Sequence, residues 1–215
     1  MPQPYRYAYL HGFASSPLSI KARRLAEIFA AHGHILHLPD LNQPSFAKLT
    51  VSGALEALER LDAQIEGGPW RLVGSSMGGY LAARFAELHP QRVDRLVLLC
   101  PGFDLLQRWP TLFGKRRMDQ WKADGKLALP DAAGELVELW WEFIEDWGRH
   151  PAFPQVAVNT LILHGRNDET VPISGSRAYA AERAHVQLVE LDDDHRLLNS
   201  LDVIGQDTLK FFSID

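Results

Sequence analysis

Three observations on this 215-residue chain predict an α/β architecture: a mostly parallel sheet of about six strands, helices on both faces and one helical insertion. Short apolar runs alternate with amphipathic helical patterns. Two runs, at 95–100 and 159–164, are apolar at nearly every position, as strands covered on both faces must be. Several runs stop at turns that carry chemistry-bearing residues, namely His11-Gly12-Phe13, Cys100-Pro101 and His164-Gly165.

In chain order, Tyr5 to Leu10 reads as the first strand, and a helical pattern at 18–31 leads to a second strand at 35–39. A helix at 50–64 precedes a strand at 70–73, which runs directly into a helix at 77–88. The strands at 95–100, 159–164 and 186–191 follow, with helices at 172–184 and 201–212. Pro172 marks a helix start, where the missing N–H has no helical partner to lose. Parallel strands joined in this way require right-handed crossovers.

The alternation breaks between about 104 and 155, a stretch too long for a loop, which predicts a cap inserted into a single domain spanning 1–215. Five of the six tryptophans lie there: Trp109, Trp121, Trp140, Trp141 and Trp147. Leu136, Trp140, Phe143, Ile144 and Trp147 recur at helical spacing, with Glu138, Glu142, Glu145 and Arg149 opposite them, so an amphipathic helix with an aromatic face is expected. Trp140 and Trp141 are the expected lining of a substrate pocket.

Hydrophobic residues make up 46% and charged residues 23% of the chain, and the net charge is −5, a balance that disfavours a nucleic-acid surface. Cys100 is the single cysteine, so no intrachain disulfide is possible, and its place at a strand end reads as a small buried hydrophobe. No basic stretch followed by an apolar segment opens the sequence, and no apolar run approaches the roughly 20 residues a membrane span needs. A cytoplasmic protein with no membrane span is the expectation; the oligomeric state is left open. His32, His34 and His37 lack a carboxylate or cysteine at ligand spacing, and no metal site is expected.

The strand at 70–73 ends in Gly74-Ser75-Ser76-Met77-Gly78, a G-x-S-x-G sequence between strand and helix. A serine on so sharp a turn needs glycines beside it, here Gly74 and Gly78, and presents its hydroxyl at the helix N-terminus. Serine attacks a carbonyl carbon only when a base takes its proton. His195, after the last core strand, is the candidate base, and Asp168, after the preceding strand, is the candidate group that fixes its tautomer. Asp104, Asp192, Asp193 and Asp194 also lie near strand ends and are weaker candidates for that role. The backbone N–H groups of Met77 and of Phe13, just past Gly12, are the expected donors to an oxyanion. No cofactor is needed for this chemistry. His11 and His164 are expected to satisfy loop polar groups, and Lys115-Arg116-Arg117 to form a solvated face of the cap, the alternative being contact with an anionic substrate tail such as a phosphate or carboxylate.

Leu10-His11-Gly12-Phe13, Gly74 to Gly79 and His164 to Pro172 together resemble the α/β-hydrolase superfamily. The opening stretch His11-Gly12-Phe13-Ala14-Ser15-Ser16-Pro17, with Ser19 and Lys21 and then Gly74 to Tyr80, is further similar to the small bacterial esterases of the YqiA type. The resemblance implies a sheet of eight strands in full-length members, with this chain starting at the equivalent of the third. It implies a serine hydrolase, most simply a carboxylesterase acting on a small-molecule ester through an acyl-enzyme. Thioesters, lactones and other carbonyl-derived bonds share such a site, and a ligand-binding protein on the same fold is the alternative.

Overall fold

The computed structural model describes residues 5–215. Its first half contains β1 (Arg6–Leu10), α1 (Ile20–Ala31), β2 (Leu36–His37), α2 (Val51–Gln64), β3 (Trp70–Ser75), α3 (Met77–Leu88) and β4 (Val93–Leu99). Between β4 and the next core strand lie α4 (Leu105–Phe113), α5 (Lys115–Asp124), β5 (Lys126–Pro130), β6 (Leu136–Trp140) and α6 (Glu142–Trp147). β7 (Asn159–Gly165), α7 (Ile173–Ala181), β8 (Val186–Leu191) and α8 (Leu201–Phe212) complete the chain. The six core strands are all parallel, in the order β2-β1-β3-β4-β7-β8.

Side chains alternate across the sheet with the strand period of two. Ala8, Leu10, Leu72, Leu96 and Leu98 face the side packed by α2 and α3, whereas Tyr7, Tyr9, Val73, Val97 and Leu99 face α1 and α8. Leu98 is completely buried, and its truncation to alanine would cost about 2–5 kcal/mol. The helices start where side chains satisfy their free N–H groups: Ser19 Oγ accepts from Ala22 N, and Thr50 Oγ1 accepts from Gly53 N at 2.9 Å. None of the helices among the described residues is long and apolar enough to cross a membrane.

The region 136–147 corrects the expected single amphipathic helix. Leu136–Trp140 is a strand, paired antiparallel with β5 through Leu127 opposite Leu139 and Leu129 opposite Val137. Only Glu142–Trp147 is helical. The strand buries Leu139 and leaves Leu136, Glu138 and Trp140 exposed, a period-two pattern that overlaps the helical one over so short a run. The deciding feature is the turn before it. Asp131 Oδ1 accepts from Ala133 N at 2.8 Å and Glu135 N at 3.0 Å, and Gly134 supplies a φ of +85°. The second strand is also shorter than expected, with only Leu36 and His37 paired to β1.

Candidate active site

β3 ends at Ser75 and α3 begins at Met77, so Ser76 alone turns the chain, with φ 54° and ψ −118°. A positive φ is costly for a residue with a Cβ and persists only where neighbours impose it. Here Ser76 N donates to Leu99 O and Gly102 N donates to Ser76 O, both at 2.9 Å. The two flanking glycines are required by backbone packing. A Cβ on Gly74 would overlap the backbone of Gly78, and a Cβ on Gly78 would overlap the carbonyl of Leu10. β1, β3 and α3 therefore touch main chain to main chain. Gly12 brings the loop after β1 equally close, since a Cβ there would lie 3.2 Å from both Ser75 O and Ser76 Cβ.

Two further strand ends converge on this turn. His195, after β8, places Nε2 3.0 Å from Ser76 Oγ and Nδ1 2.7 Å from Asp168 Oδ2. Asp168, after β7, has a completely buried carboxylate whose other oxygen accepts from Thr170 N at 2.9 Å and Val171 N at 2.7 Å. Burial alone would raise its pKa, but hydrogen bonds from His164 and His195 outweigh burial and hold the carboxyl well below the usual range. His164 is buried, with Nε2 2.8 Å from Val171 O and 3.2 Å from Asp168 Oδ2. Because a carbonyl can only accept, Nε2 carries the proton and Nδ1 accepts from Ser176 Oγ at 2.8 Å. His11 is likewise buried, with Nδ1 2.9 Å from Gly12 O and Nε2 accepting from Leu41 N at 3.0 Å.

None of the competing aspartates approaches His195 as Asp168 does. Asp193 instead ties down the loop that carries His195: its carboxylate accepts from Asp194 N at 2.8 Å, Asn199 N at 3.0 Å and Ser200 Oγ at 2.9 Å. Asp194 accepts from Arg196 N at 2.7 Å. Leu197, with φ 53°, turns inward beneath the same loop and is completely buried.

The N–H groups of Phe13 and Met77 make no hydrogen bond to protein acceptors among the described residues. That of Met77 is a first-turn donor, which an α-helix leaves without an internal partner. The Phe13 ring packs at centroid distances of 5.2 Å from Phe46, 5.2 Å from Trp109 and 5.3 Å from Phe143, so α4 and α6 back the loop after β1.

An open cleft of about 380 Å³ lies in front of Ser76 and His195, bordered by Phe13, Lys21, Arg196 and Leu198. Trp140 and Trp141 do not line it, which corrects the expectation placed on them. Trp140 projects from the solvent side of β6, 47% exposed, with Lys48 Nζ 5.0 Å from its ring, while Trp141 packs edge-on against Trp121 at 5.4 Å. Lys115, Arg116 and Arg117 are exposed on α5, away from the cleft. The two cations that do border it, Lys21 and Arg196, carried no expected role; the signals were their positions in the first turn of α1 and directly after His195.

Among the described residues, Cys100, Asp168 and His195 are the one trio whose ligand atoms lie close enough to hold a metal, within 4.8 Å of one another. Burial pushes the Cys100 thiol far up, which leaves it protonated at neutral pH. His32, His34 and His37 form no such group.

The chain belongs to the uncharacterised protein family UPF0227, whose model matches residues 6–212. The monoacylglycerol lipase abhd6-B of Xenopus laevis is 28% identical over 106 residues, 48% of this chain and 29% of that protein, so the chain matches less than a third of the length of this curated relative. Among solved structures, mouse alpha/beta hydrolase domain-containing protein 10 superposes with a TM-score of 0.78 at 22% identity, over 99% of this chain and 91% of that one. The monoacylglycerol lipase of Paleococcus ferrophilus does so with a TM-score of 0.73 at 17% identity, over 98% of each chain. The fold is that of the α/β hydrolases.

Proposed function

We propose that this UPF0227 protein is a serine carboxylesterase acting on esters of small or medium acyl groups. The observation that carries the reading is the unbroken chain Ser76 Oγ, His195, Asp168, with contacts of 3.0 Å and 2.7 Å, at the ends of three parallel strands. The names of the lipase relatives agree with it.

Ser76 Oγ attacks the ester carbonyl carbon while His195 Nε2 takes the hydroxyl proton, and the carbonyl π pair moves onto oxygen. The resulting oxyanion accepts from the N–H groups of Phe13 and Met77, with the α3 N-terminus adding a favourable field. Collapse expels the alcohol, which receives the proton from His195. Water, activated by the same imidazole, then releases the acid from Ser76. Asp168 keeps the Nδ1 proton directed at itself and stabilises the imidazolium. Its depressed pKa keeps it ionised across neutral pH. The cleft of about 380 Å³ is at the lower end of small-molecule sites, which suits modest acyl groups. The sequence of steps draws on no cofactor. A lone buried thiol suits a reducing cytoplasm.

The test is hydrolysis of p-nitrophenyl esters from acetate upward by the native protein and Ser76→Ala, with fluorophosphonate labelling in parallel. Turnover and labelling should both vanish in the variant, by a factor of about 10⁴ or more for turnover. An unlabelled, inactive native protein would instead identify a ligand-binding member of the fold.

A further inference from the structure

The wall of the cleft facing away from the insert is cationic. Phe13 is sealed on its other side by Phe46, Trp109 and Phe143, so a substrate held at Ser76 extends toward the first turn of α1 and the loop after His195. That direction leads to Lys21 and Arg196. Among the described residues no aspartate or glutamate borders the cleft, in a chain with five more acidic than basic residues.

Neither cation forms an ion pair with a carboxylate among the described residues. Lys21 Nζ donates to Arg196 O at 2.9 Å, which leaves two of its three donors free, and the Arg196 guanidinium makes no hydrogen bond or ion pair among the described residues. Arg196 is exposed, whereas the more enclosed arginines pair with carboxylates: Arg6 with Asp62 at 2.8 Å and Arg71 with Asp94 at 2.7 Å. Burial lowers the pKa of Lys21, and the nearby Asp194 and Asp168 oppose that only in part. Asp194 is engaged by the Arg196 backbone. Lys21 is thus a half-buried cation with no carboxylate in ion-pair contact, on the wall of the cleft that holds Ser76.

We infer that Lys21 and Arg196 form an anion subsite beside Ser76, and that the preferred substrates are esters bearing a carboxylate or a phosphate on one side of the scissile bond. This deepens the esterase reading and rests on it. The anion docks between the Lys21 ammonium and the Arg196 guanidinium, with the positive end of α1 behind it.

Two matched pairs test this. Mono-4-nitrophenyl adipate against 4-nitrophenyl hexanoate probes a carboxylate on the acyl side, and 1-butyrylglycerol 3-phosphate against 1-butyrylglycerol probes a phosphate on the alcohol side. In at least one pair the anionic ester should have a kcat/KM about tenfold higher, expressed mainly in KM and eroded by added salt. The adipate pair alone responding assigns a carboxylate, and the glycerol pair alone assigns a phosphate. Lys21→Gln and Arg196→Gln should each shrink the preference several-fold, and Lys21→Arg should retain most of it. Because Lys21 also anchors the loop next to His195, the anionic-to-neutral ratio is taken within each variant, so that a general loss of rate cancels. A ratio near one in both pairs, or a preference indifferent to both glutamine variants, overturns the inference while Ser76-dependent turnover of the neutral esters preserves the esterase reading. No turnover of any ester, or turnover that survives Ser76→Ala, overturns the esterase reading and the subsite with it.

Discussion

The loops at the carboxyl ends of the core strands and the insert between β4 and β7 are built from different forces. At the strand ends, main chains touch one another at Gly12, Gly74 and Gly78, and polar side chains are held by short hydrogen bonds, four of them on the single carboxylate of Asp168 when the His164 contact is counted. The insert is held by aromatic faces: Trp109 stacks on Phe113 at 4.8 Å and tilts against Trp121 at 5.8 Å, and Phe143 meets Trp147 edge-on at 5.3 Å. Hydrogen-bonded geometry fails abruptly when one atom moves, whereas aromatic packing loses free energy in proportion to lost contact. Damage at the strand ends should therefore appear in rate, and damage in the insert in stability.

The largest effect expected on the rate side is that of Asp168→Asn, a fall in kcat of about 10³–10⁴ from loss of the correct histidine tautomer, read in steady-state hydrolysis. The same residue carries a pH signature. Its folded pKa lies below the unfolded value of 3.8, so it adds stability that is fully present above that value and is lost as pH falls through the folded pKa. Urea titrations should accordingly show the native protein losing stability below about pH 4 more steeply than Asp168→Asn does. Next comes Trp109→Ala, which removes a side chain only 2% exposed and should cost about 3–5 kcal/mol of unfolding free energy. If the two regions are as separate as proposed, its kcat per folded molecule stays within about tenfold of native. A greater loss would show that the Phe13 contact carries the insert's packing into the reaction. Gly12→Ala should do the reverse, lowering kcat by about 10–100-fold through displacement of the Phe13 donor while leaving the melting temperature within a few degrees. Trp140→Ala should be the mildest, changing both rate and stability by less than about 1 kcal/mol, because its ring rests on Lys48 at the surface.

The same contrast explains what could be read from the residues alone. Gly74 and Gly78 announce themselves because close backbone approach excludes every other side chain, so a tertiary contact leaves a local mark. Asp168 and His195 were legible because parallel strands deliver their ends to one edge, whatever the details of packing. Trp140 and Trp141 carried no such mark. Which way an aromatic residue points depends on the pairing of β5 with β6, and that register was set by the Asp131 to Gly134 turn, just ahead of a stretch whose spacing also fits a helix. Lys21 illustrates a further limit: its partner Arg196 is 175 positions away, and no pattern within either segment refers to the other.

Cys100 gives the molecule a clock. It is the sole thiol, 1% exposed at the end of β4, and packed close to Asp168 and His195. A disulfide reagent can reach it only when the carboxyl edge of the sheet parts, so the rate of thiol modification counts openings of the region around Ser76. Comparing that rate with the rate of global unfolding would tell whether this edge breathes on its own or yields only when the whole sheet does.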